Sequence, residues 1–138
     1  MWRCPRCGRT FAARNQTHTC RPLGDLDHHF AGKDPVVREI FDAVLGALPG
    51  PVEILSEKTR IALHVRMSFA AFVPRVHWLD GHVVLAEPLT SERFTKVETY
   101  SRHNVVHFFR LRTPTEVDEE VADWLSRAYA VGRGDHRR

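Results

Sequence analysis

All three cysteines of the 138-residue chain lie within its first 20 residues, at Cys4, Cys7 and Cys20. The first two belong to the stretch CPRCG, in which two residues separate the thiols and Gly8 permits a tight backbone turn. Together with His18, two positions before the last cysteine, they form the three-thiolate, one-imidazole donor set of a closed, structural Zn²⁺ site. A segment this short cannot bury a core, so we expect the metal to supply its folding free energy.

The fourth zinc ligand is the part of this prediction with alternatives. His18 has the best position, but His28 or His29 of the stretch LDHHF would also serve. The His-x-Cys ending differs from the two spaced histidines that complete a nucleic-acid-binding zinc finger. No helix that reads bases is therefore predicted for residues 1–22.

Charge is distributed unevenly along the chain. Residues 1–22 carry five arginines and no acidic residue, whereas the remaining residues hold 15 basic and 17 acidic side chains, for a net charge of +3 overall. Such a basic segment suits contacts with nucleic-acid phosphates. The residues predicted to make these contacts are Arg3, Arg6, Arg9 and Arg14. The alternative is an interaction module that docks an acidic protein partner and in which zinc is purely structural.

The overall composition is that of a soluble globular protein. Apolar residues make up 43% of the chain and charged residues 27%, and no window approaches the length of a membrane span. No apolar leader follows the first residues. Three thiols in one short segment suit a reducing compartment, so we expect a cytoplasmic protein with no membrane partner.

Two helices are marked by their ends. After a polar connector, residues 23–33, Asp34 and Pro35 provide a cap and a first residue. Apolar residues then follow at helical spacing up to Leu48, before Pro49-Gly50-Pro51. Near the other end, Thr113, Pro114 and Glu116 form a capping-box pattern that predicts a helix ending at Gly132. Residues 133–138 are expected to be a disordered tail.

The region between the helices is predicted to be mainly β-structure. Alternating or apolar runs indicate strands at 52–55, 61–66, 68–74 and 105–111. Asp80-Gly81 is expected to be a two-residue hairpin turn between strands at 76–79 and 82–86, and residues 88–104 a short helix or loop. The fold class is therefore α+β: a zinc knuckle at 1–22, then a domain at 34–132 with about five antiparallel strands between two helices, both on one sheet face.

The uncovered face of that sheet is where a small-ligand or metal-handling site is expected. The candidate residues for this ligand face are Lys58, Arg60, His64, Arg66 and His107. His107 shares its side of the strand with Val105 and Phe109, which favours a hydrogen-bonded core histidine as the alternative. The chain has no nucleophile elbow, zinc-protease helix or P-loop, and with its cysteines assigned to zinc the sequence favours a protein that is not an enzyme.

Several stretches of the sequence together resemble a family of bacterial domains of unknown function. They are W-x-C-P-R-C-G-R-T-F with N-Q-T-H-T-C, then H-F-A-G-K, E-K-T-R-I-A-L-H, F-A-A-F-V-P and V-D-E-E-V-A-D-W-L-S-R-A-Y. The chain resembles this family over nearly its whole length. The resemblance implies the order of elements given above. It also implies that members often carry the cysteine-rich head and that related domains are sometimes joined to nuclease-like modules. More distantly, the order helix, sheet, helix is similar to frataxin-like and iron-chaperone-like domains.

Overall fold

The structure is a computed structural model that describes residues 26–135 and, N-terminal to them, the backbone of two short strands. These strands are β1 (Trp2–Arg3) and β2 (Thr10–Phe11), which pair antiparallel with Trp2 opposite Phe11. The connection between them contains Cys4 and Cys7 in the sequence. The predicted zinc knuckle otherwise lies outside the described residues.

Residues 26–135 form an α+β arrangement of two helices and a six-stranded antiparallel sheet, which confirms the α+β class predicted for this part of the chain, with one strand more than the five or so expected. After a 3₁₀ turn (Leu26–His29), the elements are α1 (Pro35–Gly46), β3 (Glu53–Ser56), β4 (Ile61–His64), β5 (Ser68–Pro74), β6 (Leu79–Leu85), β7 (Phe94–Ser101), β8 (Asn104–Leu111) and α2 (Glu119–Gly132). The strands form a six-stranded sheet in the order β3-β4-β5-β6-β8-β7, and every neighbouring pair is antiparallel.

Helix α1 begins at Pro35, as predicted, because the fixed φ of proline suits the first helical position. The Asp34 side chain does not cap the helix and instead contacts Nδ1 of His77. The helix ends at Gly46, before the proline-rich stretch that was expected to stop it. Its buried stripe consists of Val37, Ile40, Phe41 and Val44.

Helix α2 begins later than the capping box predicts. The box at Thr113 is formed, but it closes a 3₁₀ turn at Pro114–Glu116, after which Val117 leaves the helical region with ψ near 77°. The helix starts at Glu119, where the Asp118 side chain accepts a hydrogen bond from the Val121 N–H at 3.1 Å. Its end at Gly132 agrees with the prediction.

One hydrophobic cluster joins both helices to the same face of the sheet. Its largest fully buried side chains come from α1, α2 and strands β4, β5, β6 and β8: Trp124, Phe41, Phe69, Phe72, Ile40, Ile61, Leu63, Leu79, Leu111, Leu125 and Val37. Because both helices lie on this face, no helix of residues 26–135 covers the opposite face of the sheet. We call that second side the open face.

The predicted hairpin turn at Asp80-Gly81 is wrong, because both residues lie inside strand β6. The turn occurs earlier, where the Arg75 N–H donates to the Trp78 carbonyl at 2.8 Å. Gly81 lies opposite Phe72 on the core side, and a Cβ built on Gly81 would come within 2.7 Å of two Phe72 ring carbons. The glycine therefore makes room for a core aromatic ring and does not mark a turn.

The prediction of a loop or short helix at 88–104 is also wrong, because β7 forms a hairpin with β8 there. Strand β7 lies at the edge of the sheet, and most of its side chains are exposed and polar, so its sequence lacks a clear apolar alternation. Phe94 anchors it, with its ring centroid 4.5 Å from that of Trp124 on α2.

Candidate functional site on the open sheet face

A groove of about 240 Å³ lies on the open face, where β5, β6, β7 and β8 contribute side chains to it. We call it the open-face groove. Successive side chains of a strand point to opposite sides of the sheet. Leu79, Val83 and Leu85 of β6 enter the core, so Asp80 and His82 point into the groove on the other side. The lining residues on this side are Ala71, Val73, Arg75, Asp80, His82, Thr95, Phe108 and Arg110.

The Asp80 carboxylate is held between two arginines. Nε of Arg110 donates to one oxygen at 2.9 Å, and Nε of Arg75 donates to the other at 3.0 Å. Partial burial opposes ionisation of this carboxyl, but the hydrogen bonds from Arg110 and Arg75 outweigh it and hold the pKa of Asp80 below its ordinary value. Because two guanidinium groups share one carboxylate, the three described side chains together carry a net positive charge in the groove.

The Arg110 guanidinium is held in a second way. Its central carbon lies 4.4 Å from the centroid of the Trp78 ring, which places the cation over the indole face. This packing and the bond to Asp80 together restrict the orientation of the group. The remaining N–H donors of Arg110 are then directed by the fold and are available to an anion.

His82 and Phe108 provide two uncharged aromatic rings beside these cations, with their planes tilted 56° to each other. Their ring centroids are 5.3 Å apart, and the residues lie directly opposite each other on β6 and β8. Burial, reinforced by the positive charge of Arg60, lowers the pKa of His82 to about 4, so the imidazole is neutral at physiological pH. The Lys96 ammonium lies 5.7 Å from the Phe108 centroid. Chemically, the groove can stack a planar ring and bind an attached anion.

The structure brings one of the predicted ligand-face residues, Arg60, close enough to the groove to influence His82 electrostatically. Arg60 also donates to Glu57 at 2.9 Å. Lys58 is exposed in the turn before β4, and Arg66 is exposed just after that strand. His64 is buried, with Nδ1 3.2 Å from the Ser68 hydroxyl.

His107 lies on the core side of the sheet, apart from the other predicted ligand-face residues. It is fully buried (0% exposed). The Leu89 N–H donates to its Nε2 at 2.9 Å, so the ring proton is on Nδ1, which lies 3.0 Å from the Val105 carbonyl and donates to it. Burial lowers the pKa of His107. These are the surroundings of a hydrogen-bonded core histidine, which was the alternative expectation.

The predicted zinc ligands Cys4, Cys7, His18 and Cys20 lie outside the described residues, as do Arg6, Arg9 and Arg14, and Arg3 is described in its backbone alone. Within residues 26–135 there is no cluster of three or more histidine, cysteine or acidic side chains that would hold a metal. Neither helix of this same region is long and apolar enough to cross a membrane.

The two alternative zinc ligands, His28 and His29, are both described. His29 is buried, and its Nε2 lies 3.0 Å from the Ser56 hydroxyl. Burial, together with the neighbouring His28, lowers its pKa. The two rings lie 4.5 Å apart. His29 thus ties the 3₁₀ turn to the end of β3, whereas His28 is exposed.

Sequence reasoning missed the main groove residues Asp80, His82, Phe108 and Arg110. The assignment of Asp80-Gly81 to a turn interrupted the strand that carries two of them. A signal was present nonetheless, because the apolar residues Leu79, Val83 and Leu85 are separated by even numbers of positions. The polar residues Asp80 and His82 lie at the positions that point to the other side. The same alternation in VVHFFRL places Phe108 and Arg110 on the outward side.

Comparisons with known proteins identify the domain but not its activity. A family model described as "Domain of unknown function (DUF5655)" matches residues 26–132. This range covers most of the chain, and it includes the 3₁₀ turn with His29 that precedes α1. The searches of curated proteins and of solved structures returned no match. The chain therefore belongs to the DUF5655 domain family.

Proposed function

We propose that this protein binds single-stranded nucleic acid, with the basic N-terminal segment contacting phosphates and the open-face groove receiving a base. The observation that carries the proposal is the neutral His82–Phe108 ring pair lying beside the Arg75 and Arg110 guanidinium groups. Planar rings flanked by cations are what proteins use to hold single strands, because every base has a face that stacks and every nucleotide has a phosphate.

The energetics of such a site favour weak, sequence-tolerant binding. Stacking of a base on an aromatic side chain contributes roughly 1–3 kcal/mol. Contacts between arginines and phosphates add affinity that falls as the salt concentration rises, because bound counterions are released. Neither contact selects one base, since the groove offers few hydrogen-bonding groups at fixed positions besides the Arg75 and Arg110 donors.

A zinc ion in the N-terminal segment is the second part of the proposal. Pairing of β1 with β2 places Arg3 opposite Thr10, and these two residues flank Cys4 and Cys7 in the sequence. Cys20 and His18 would complete a set of three thiolates and one imidazole, which is one of the donor sets that hold structural zinc. Bound zinc would supply folding energy, and the arginines around the cysteines would offset the negative charge of three thiolates.

The binding experiment uses the full zinc-loaded chain and labelled single-stranded RNA, single-stranded DNA and duplex DNA, measured by fluorescence anisotropy over about 50–300 mM salt. We expect single strands to bind more tightly than the duplex, with affinity that falls steeply with salt. Replacing Arg3, Arg6, Arg9 and Arg14 together by alanine is expected to remove most of this salt-dependent binding. Absence of binding to all three probes at the lowest salt would overturn the proposal.

The groove is tested separately by F108A and by the double charge-removing variant R75Q/R110Q. Each is expected to weaken single-strand binding by about tenfold, which corresponds to the stacking or phosphate contributions above. R127Q is the matched control, because Arg127 is an exposed arginine on α2 that pairs with Asp123. Equal binding by all three variants, each checked for an unchanged melting temperature, would remove the groove from the proposal.

Measuring the metal content of the protein tests the zinc site independently of nucleic-acid binding. The purified chain is expected to contain one zinc ion per molecule, and serine at Cys4, Cys7 or Cys20 is expected to abolish it. The fourth ligand is decided by comparing H18A, H28A and H29A, because only the variant that removes the ligand should lose zinc. Metal content that stays the same in the cysteine variants would contradict the assignment.

A further inference from the structure

Strand β7 is an edge of the six-stranded sheet, with β8 on one side and no other described strand on its far side. It is eight residues long, whereas β3 at the opposite edge has four. Two of the three exposed large apolar side chains in residues 26–135 lie on it: Val97 is 44% exposed and Tyr100 is 68% exposed. A long edge strand with exposed apolar residues is a template for pairing with another strand.

We propose that β7 pairs antiparallel with β7 of a second copy of this chain, around a two-fold axis at Val97. In this register Val97 lies opposite Val97, and Lys96 lies opposite Glu98 of the second copy. The same contacts occur twice, as a symmetric dimer requires. The pairing extends each sheet into one continuous sheet across the interface, and it does not depend on the proposed nucleic-acid binding.

The charges on β7 favour this register over its neighbours. Within one chain, Lys96 and Glu98 point to the same side of the sheet and already form an ion pair, and the hydrogen bond from Lys96 lowers the pKa of Glu98. At the two-fold axis the four side chains would alternate in sign. Sliding the two strands by two residues in either direction would place Lys96 opposite Lys96 or Glu98 opposite Glu98, and like charges directly opposite are unfavourable.

The geometry of β7 also limits how far the pairing extends. The register with β8 shifts between Phe94 and Lys96 and again between Thr99 and Ser101. These irregularities leave a regular segment that contains Lys96, Val97 and Glu98. Bulges protect an edge strand from pairing along its whole length. Pairing with a second copy is therefore limited to the regular segment between the two irregularities, which is centred on Val97 and has matched charges.

The pairing would place the two open faces side by side. Residues directly opposite each other in an antiparallel pair lie on the same side of the sheet. Lys96 and Glu98 both point to the open face, as does His82 farther into the sheet. The two open-face grooves would therefore form one surface that continues across the two-fold axis.

A charge-swap experiment on the full chain tests the dimer and its register. Molar mass is measured by light scattering after gel filtration, at loading concentrations of about 10–200 µM, a range suited to a micromolar dissociation constant. We expect a dimer for the natural sequence, for K58E as a matched control on an exposed lysine elsewhere, and for the double variant K96E/E98K. The single variants K96E and E98K each place like charges opposite each other and are expected to be monomeric.

Each remaining outcome counts against the proposal. A monomer at all concentrations would refute the dimer, and a dimer that persists in both single variants would show that another surface forms it. A double variant that stays monomeric would refute the register.

Cross-linking of V97C with a short bifunctional thiol reagent provides an independent measurement. We expect the reagent to join the introduced thiols of two copies, because paired Cβ atoms lie about 4.5–5.5 Å apart across an antiparallel pair, slightly more than a direct disulfide spans. Peptide mapping identifies the linked segments and separates this bond from any disulfide of the N-terminal cysteines. Failure to cross-link at this position while the natural chain is dimeric would also refute the register.

Discussion

The imidazole of His82 packs against the phenyl ring of Phe108 on the neighbouring strand, with ring centroids 5.3 Å apart. Burial and the charge of Arg60 lower the pKa of His82 to about 4 in the folded protein, whereas an unfolded histidine titrates near 6.5. Between these two values the unfolded chain binds more protons than the folded one. The contribution of His82 to folding stability is therefore fully present above about pH 6.5 and falls as the pH is lowered toward 4.

We expect His82 to account for up to about 3 kcal/mol of this acid destabilisation, since each unit of pKa difference is worth about 1.4 kcal/mol. Urea unfolding at pH 7.5 and pH 4.5 measures it. H82N is expected to reduce the difference between the two pH values, whereas H103N, which changes an exposed histidine in the turn before β8, is expected to leave it unchanged. A pH difference that is the same in H82N as in the natural chain would contradict this origin.

Replacing Gly81 by alanine is expected to destabilise the domain by about 1–3 kcal/mol, the usual cost of overpacking a core. The new methyl group would lie 2.7 Å from two carbons of the Phe72 ring and 3.2 Å from the Phe109 ring. G46A is the control, because Gly46 lies in α1 with nothing within 4 Å of the added atom. That variant should become more stable by up to about 0.5 kcal/mol, less than in the middle of a helix, because Gly46 is the last residue of α1. Chemical denaturation of both variants checks the opposite signs.

Removing the His107 ring is expected to cost about 1–3 kcal/mol through the loss of a buried acceptor. Leucine at this position would fill a similar space but leave the Leu89 N–H without the nitrogen to which it donates at 2.9 Å. Equilibrium unfolding of H107L measures the loss. H103L should stay within about 0.5 kcal/mol of the natural chain, as surface changes usually do. An H107L variant as stable as H103L would show that this hydrogen bond contributes nothing.

The start of α2 is expected to depend on Asp118 more than on the capping box at Thr113. D118A removes the acceptor for the Val121 N–H and both bonds from Arg93, so we expect a loss of about 1–2 kcal/mol. D118N keeps a cap acceptor and should recover much of that loss. T113A affects a 3₁₀ turn alone and should cost less. Thermal unfolding of the three variants gives the order, and a larger loss in T113A would contradict it.

Features that depend on a few neighbouring residues can be predicted from local sequence patterns. Pro35 begins α1 where a local rule places it, since its fixed φ acts within one turn of the chain. Helix α2 ends at Gly132 as expected, but there the missing side chain makes room for Phe69, a residue distant in sequence. Strand β5 at Ser68–Pro74 follows from a continuous apolar run, and the burial of Val105, Phe109 and Leu111 on β8 follows from local alternation. The α+β class follows from the order of these elements.

Features that depend on residues far apart in sequence become visible only in the folded domain. Gly81 resembles a turn residue until Phe72 from the adjacent strand fills the space above it. Strand β7 becomes a strand because β8 pairs with it and Trp124 packs on Phe94. The open-face groove likewise needs side chains from four different strands. A local sequence pattern predicts the backbone conformation of nearby residues. It does not specify which distant residues pack against each other across a sheet.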